Sequence, residues 1–410
     1  MKSGKIADRA NSRDFSWPFW PVVPIYPYGK RRTIRREIVS DRIWSFEQVQ
    51  GIFYVVVPIR MTVVRLDEGG LLVYAPVAPT GECLQLLNEL IARYGDVKYI
   101  ILPTISAVEH KVFVPRFARK FPQSQVYVAP DQWSFPIDLP LSWLGFPRKR
   151  TFILPEDSSQ TPFAKQFDYA ILNTLDLKTG YFSEVALFDK TTRSLLVTDS
   201  IVSIPAEPPP VFDIDPYPLL FHAKDDALEN VDDTEENRIK GWQRICLFSM
   251  YFQPTVLSIP QWGKVFANAF KAPDKSKKNY FGLFPFQWRE DWRQCFDTLS
   301  DNGRIFVAPI LQTLILNRAP QKALQWADAI ATWDLQHIIP CHFTAPIAAD
   351  SKEFRQAFAF LELATDGTNT YPLPEQEFQV LRDVDRFLFK TRLVPPPLIE
   401  GGMRDEKGNR

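Results

Sequence analysis

The chain has 410 residues, more than the roughly 100–200 of a typical domain, so one large unit or two smaller ones are expected. Lys+Arg 48 balances Asp+Glu 48, which argues against a protein whose main partner is nucleic acid. Four dispersed cysteines with no CxxC pair argue against a disulfide framework, and no run approaches the roughly 18 apolar residues of a membrane span.

The charged first stretch, 1-MKSGKIADRANSRDFSWPFW-20, lacks the apolar centre of a signal peptide, so a cytoplasmic location is expected. Residues 1–37 read as an extended arm, because 15-FSWPFWPVVPIYPYGKRR-32 alternates prolines with aromatics and is incompatible with a helix interior. Two uses of the arm are open. Trp17, Phe19 and Trp20 either fill grooves on the protein, or sit at a membrane surface with Lys30, Arg31 and Arg32 facing anionic lipid.

Residues 38–203 follow as the first half of a layered domain. Short strands are expected at 52–57, 61–66 and 71–75, with 67-DEGG-70 turning the chain between the last two. A helix over 80–95 has Thr80 as N-cap, an apolar face including Cys83, Leu87 and Leu90, and Gly95 as its stop. A strand at 99–102, a helix at 111–122 and a strand at 125–130 repeat the βα rhythm, and strands at 168–173, 184–189 and 195–202 complete this half. Residues 204–319, with an acidic run at 225–236 and an aromatic helix at 240–252, read as an inserted helical cap. A helix at 320–333 and a strand at 336–342 close the domain within residues 320–370, and 371–410 hold a surface helix at 373–393 and a tail. Two mixed sheets with helices outside, an αββα sandwich, satisfy this order.

Polar residues cluster just beyond the apolar strands. Of the histidines at 110, 222, 337 and 342, His110 and His342 come immediately after buried strands, Glu109 adjoins the first, and Asp199 ends a third. Imidazoles with carboxylates at strand ends are metal-ligand chemistry if the fold brings them together; each taken singly reads as a hydrogen-bonded structural group. Cys341 reads as a packed, inert thiol, and His222 and His337 as structural or surface residues.

The segments 104-TISAVEH-110, 197-VTDS-200 and 339-IPCHF-343 resemble, in degraded form, the metallo-β-lactamase superfamily, over roughly residues 50–350. That family carries T-H-x-H-x-D-H, a Gly-Asp and a Gly-His at these three places. Thr104 matches the threonine, while the first two histidines fall on Ile105 and Ala107. Glu109 replaces the aspartate, and His110, Asp199 and His342 match the remaining ligands. The family's mid-chain histidine has no counterpart near 179-TGYF-182. The resemblance implies the superfamily's αββα sandwich with its first metal site erased and a second assembled from Glu109, His110, Asp199 and His342. Apolar Ile105 and Ala107 exclude a two-metal mechanism. The segments 113–136 and 139–147 look like an uncharacterised branch of cyanobacteria and plastids, a domain of unknown function, which implies a phototroph interior near the thylakoid surface.

Two functions follow. One is a mononuclear metal-dependent hydrolase using zinc, iron or manganese, with Glu109 or Asp199 as base and the helices of 240–300 forming the pocket for a small-molecule substrate. The other is a non-catalytic binding or assembly scaffold without metal, whose working surfaces are the arm and the cap, facing protein or lipid.

Overall fold

The computed structural model describes residues 14–19, 21, 24–105, 107–134, 138–178, 180–362 and 373–398. Four antiparallel strands come first: β1 (Ile34–Val39), β2 (Ile43–Ile52), β3 (Val55–Arg65) and β4 (Leu71–Tyr74). Helix α1 (Gly81–Tyr94) then carries the chain to β5 (Val97–Leu102), and α2 (Val114–Lys120) carries it to β6 (Gln125–Val128). With β7 (Thr151–Ile153), these strands form one seven-stranded sheet in sequential order, parallel from β4 onward. Helical crossovers are what parallel neighbours require.

The second sheet begins with β8 (Phe167–Asp176), β9 (Tyr181–Asp189) and β10 (Ser194–Val197). The chain then leaves for a helical stretch of α3 (Tyr217–Ala223), α4 (Glu235–Tyr251), β11 (Leu257–Ser258), α5 (Trp262–Lys271), β12 (Gln287–Trp288), α6 (Trp292–Ser300), α7 (Pro309–Leu314) and α8 (Pro320–Ala331). It returns as β13 (His337–Pro340) and β14 (Ile347–Ala348), followed by α9 (Ser351–Gln356) and α10 (Gln379–Lys390). The sheet order is β14-β13-β10-β9-β8, with β10 and β13 parallel.

Alternation along the strands sorts the apolar side chains into three layers. In the first sheet Leu71, Val73, Ile100, Leu102, Val126 and Val128 face outward onto Leu87 of α1 and Phe117 of α2. Their neighbours Leu72, Tyr74, Ile101 and Tyr127 face inward and meet Tyr169, Val185, Leu187, Leu196 and Ile339 of the second sheet. From that sheet Ala186, Phe188, Leu195, Val197 and Ile338 face outward onto Trp242 of α4 and Trp326 of α8. Helix, sheet, sheet, helix is therefore the layer order. The stretch between β10 and β13 supplies the second helical layer through α4 and α8.

Several elements differ from the sequence expectations. The expected strand 52–57 is interrupted by a hairpin turn at Phe53 and Tyr54, with Ile52 ending β2 and Val55–Val57 opening β3. Phe53 and Tyr54 both take positive φ, 52° and 60°, and turn β2 into β3. Their rings join Tyr26, Tyr217, Phe221 and Tyr280, so aromatic packing holds two bulky residues in a backbone region that usually calls for Gly or Asn. Helix α2 starts later than expected because residues 107–111 form a single π-helical turn first. The expected strand 195–202 ends at Val197, where the chain turns to bind Glu184.

In the arm, Trp17 is buried against Phe19 and Phe113, and Tyr26 against Tyr54. Trp20 lies outside the described residues. Among the described residues, no helix is long and apolar enough to cross a membrane.

Candidate metal centre

Three strand ends meet at one edge of the sandwich. The π-helical turn after β5 carries Glu109 and His110, the turn after β10 carries Asp199, and the loop after β13 carries His342. An isolated bridge between Thr104 and Glu184, with Val185 N–H donating to the Pro103 carbonyl, ties the end of the first sheet to the second. Ligand atoms of Glu109, Asp199 and His342 all lie within 4.8 Å of one another. His342 Nε2 is 3.1 Å from Asp199 Oδ1 and 3.3 Å from Glu109 Oε2.

The hydrogen bonds fix what His342 offers. Its Nδ1 lies 2.8 Å from the Pro58 carbonyl, which only accepts, so Nδ1 carries the proton. Nε2 is then left facing two carboxylates. That arrangement is repulsive unless a proton or a cation sits between them. Burial by itself lowers the His342 pKa, but Glu109 and Asp199 raise it well above the usual histidine value. Glu109 shows the converse: burial pushes its carboxyl up, and His342 together with His110 and Gln50 pulls it down further, below the ordinary range. Gln50 Nε2 also donates to Glu109 Oε1 at 3.2 Å and steadies it.

His110 falls outside the converging set. It is fully buried, its Nδ1 lies 3.2 Å from the Pro76 carbonyl, and its Nε2 has no hydrogen-bond partner. Burial lowers its pKa, so the ring is neutral with a bare Nε2 lone pair beside the cluster. Of the four ligands expected from sequence, the structure therefore brings three together and leaves the fourth alongside. Ile105 is buried in the core between the sheets, where the resemblance places a lost ligand. Cys341 is buried, and its thiol pKa is raised well above the ordinary value by burial, which leaves it inert. His222 lies elsewhere, bonded to the Phe53 carbonyl.

The donor set fits a divalent ion. Metal–N and metal–O bonds of about 2.0–2.2 Å in a tetrahedral site place neighbouring donors about 3.3–3.6 Å apart; here the two imidazole–carboxylate separations are 3.1 and 3.3 Å and all three ligand atoms fall within 4.8 Å. An orphaned histidine nitrogen beside them adds to that chemistry. Side-chain exposure of 25% for Glu109 and for Asp199, against 9% for His342, leaves the carboxylates reachable from solvent.

Two residues that position this site carry no local signal in the sequence. Buried Glu184 of β9 accepts from the backbone N–H groups of Thr198 at 2.6 Å, Asp199 at 3.3 Å and Ser200 at 3.0 Å, and from Ser200 Oγ at 2.9 Å. Burial and nearby Asp199 push its carboxyl up to about 7. Buried Arg60 of β3 reaches across the sandwich to the Pro340 and Phe343 carbonyls, bracketing His342, and pairs with Glu47 at 3.0 Å. Only their alternation toward the interior hints at either one, and alternation does not name a partner.

The layers and the site define a mixed α/β, αββα sandwich with a candidate metal-binding triad at one edge of its two sheets. The family model described as Domain of unknown function (DUF4336) matches residues 40–360, and the chain belongs to that family. Among solved structures it is similar to a metallo-β-lactamase from Pontibacter korlensis, with 14% identity over 42% of this chain and 74% of that one and a TM-score of 0.33. It is similar to the DIM-1 metallo-β-lactamase exposed to ceftazidime, with 10% identity over 80% and 96% and a TM-score of 0.36. A third is the metal-soaked Flv1 flavodiiron core from Synechocystis sp. PCC6803, with 10% identity over 80% and 60% and a TM-score of 0.37. At these scores the architecture rests on the sheets and layers themselves. Comparison with curated proteins found no match.

Proposed function

We propose that this protein is a mononuclear metal-dependent hydrolase whose ion is held by Glu109, Asp199 and His342, with His110 beside them. The observation that carries this reading is the placement of His342: with Nδ1 held at the Pro58 carbonyl, Nε2 lies 3.1 Å from Asp199 Oδ1 and 3.3 Å from Glu109 Oε2. With three protein donors, one position of a four-coordinate site remains for water or substrate, the pattern of catalytic sites. A bound divalent ion supplies a Lewis acid and lowers the pKa of water there. Glu109 and Asp199 orient the reacting groups, and the carboxylate oxygen left free accepts the proton. Gln50 holds Glu109, while Glu184 holds the turn of Asp199. Two anionic donors favour a hard or borderline ion such as zinc, iron or manganese.

The same distances also suit a protonated His342 bonded to both carboxylates, the state of a non-catalytic scaffold. Elemental analysis of the purified chain after reconstitution separates the two readings. About one equivalent of a divalent metal, lost on His342→Ala, is expected. Well under one equivalent overturns the hydrolase and leaves the scaffold. A small-molecule substrate without a nucleic-acid partner, and a phototroph interior near the thylakoid, belong to this proposal. They are supported by the even charge and by the resemblance of segments 113–136 and 139–147.

A further inference from the structure

Helix α5 presents its aromatic side chains to water. Trp262, Phe266 and Phe270 are spaced four residues apart, so they form one stripe about 80° wide. They are 58%, 51% and 79% exposed, and Phe281 in the following turn is 64% exposed. Trp262 and Phe266 pack on each other with ring centroids 6.0 Å apart. The helix is firmly seated nonetheless, since Val265 and Ala269 are buried. Gly282 closes on it so tightly that an added Cβ would lie 2.8 Å from Ala272 Cβ and 2.9 Å from the Ala269 carbonyl oxygen. An exposed aromatic ridge on a rigid base marks a binding surface and is unlike the scattered single apolar residues of ordinary surfaces.

Charge identifies the occupant. Between residues 262 and 281 there are five lysines and one aspartate. Lys264, Lys271, Lys275 and Lys277 are all exposed, whereas Lys278 is drawn to Tyr217 and Asp215. Protein–protein interfaces are enriched in aromatics but depleted in lysine. Tryptophan and phenylalanine together with lysines are the composition of helices that lie in a lipid headgroup layer, where rings enter the acyl boundary and ammonium groups meet phosphates. We infer that α5 and the 272–281 turn dock this protein onto an anionic lipid bilayer. This surface is separate from the N-terminal arm, where Trp17 and Tyr26 are buried in the protein and Tyr28 is exposed.

The test is co-sedimentation of the full chain with vesicles of phosphatidylcholine alone and of phosphatidylcholine mixed with phosphatidylglycerol. Partitioning at least about tenfold stronger on the mixed vesicles is expected, weakening in high salt. The double variant Phe266→Ser with Phe270→Ser, and separately Lys271→Glu with Lys275→Glu, should each reduce it about tenfold. All four side chains point to solvent, so an unchanged circular dichroism spectrum is expected for both variants. The inference is overturned if the native chain ignores mixed vesicles, or if both variants bind them as well as the native chain. It is also overturned if sedimentation velocity shows self-association through this face, abolished by the phenylalanine variant, with no vesicle binding.

Discussion

Glu184 bears on Asp199 without sharing its place in the donor cluster. Its two oxygens collect three backbone N–H groups and one hydroxyl from residues 198–200, so the turn is shaped around a buried carboxylate. Glu184→Gln replaces one accepting oxygen by an NH₂ that faces donors, and the turn must shift to relieve the conflict. Groups that orient ligands in this way typically change metal affinity 10–100-fold, and a loss of about that size is expected by isothermal titration of the apoprotein. Unchanged affinity would show that the turn stands without Glu184. The fully buried His222 offers a pH test. Burial is the main reason its pKa is pushed down from the ordinary 6.5 to about 3, with nearby Arg244 adding to the fall and the Phe53 carbonyl opposing it. Between those values the unfolded chain takes up a proton that the folded chain refuses, so stability falls as pH drops below about 6.5 and stops falling on this account near 3. Each unit in that window is worth about 1.4 kcal/mol at most. The unfolding free energy from urea titration should therefore drop from about pH 7.5 to about pH 5 by less in His222→Gln than in the native chain, a difference of about 2 kcal/mol. Equal slopes would mean that His222 is not held neutral.

At the β2–β3 hairpin, two local terms oppose each other. Holding Phe53 and Tyr54 at positive φ costs roughly 1–3 kcal/mol each. Removing a buried aromatic ring typically costs 3–5 kcal/mol, and Tyr54 is buried among Tyr26, Tyr217, Phe221 and Tyr280. Packing wins, so Tyr54→Gly should destabilise the protein by about 2 kcal/mol although it relieves the backbone. A gain in thermal midpoint would show the reverse. This hairpin also marks where reading the sequence stops. Helix α1 was legible because its signals are local: Thr80 accepts from Cys83 N–H, the apolar residues recur at helical spacing, and Gly95 ends it. The run 52-IFYVVV-57 looks like a strand because nothing within it announces a turn; the rings that hold the turn come from residues up to 233 positions away. Glu109, Asp199 and His342 were visible as polar residues at strand ends, a candidate ligand set that the family resemblance reinforced. His110 could not be separated from the cluster by sequence, since a neighbour in the chain turns away only through the geometry of the π-helical turn. Arg60 and Glu184 act through contacts 280 and 16 residues distant, with no motif at either end.

Across the whole molecule, three apolar layers share two sheets, and every strand interior to a sheet serves two layers at once. The first sheet is built from neighbours in sequence; the second is not. Its central pair joins β10 to β13, Ser194 opposite His337, across a stretch of more than a hundred residues that becomes the outer helical layer. During synthesis the earlier sheet therefore has all of its strands while β10 still lacks a neighbour on one side, and its exposed edge must wait for β13 to emerge. His342 follows two residues after that strand. A ribosome paused after Asp199 and before His342 has made both carboxylates of the triad but not its imidazole, so the cluster is completed in a single late step.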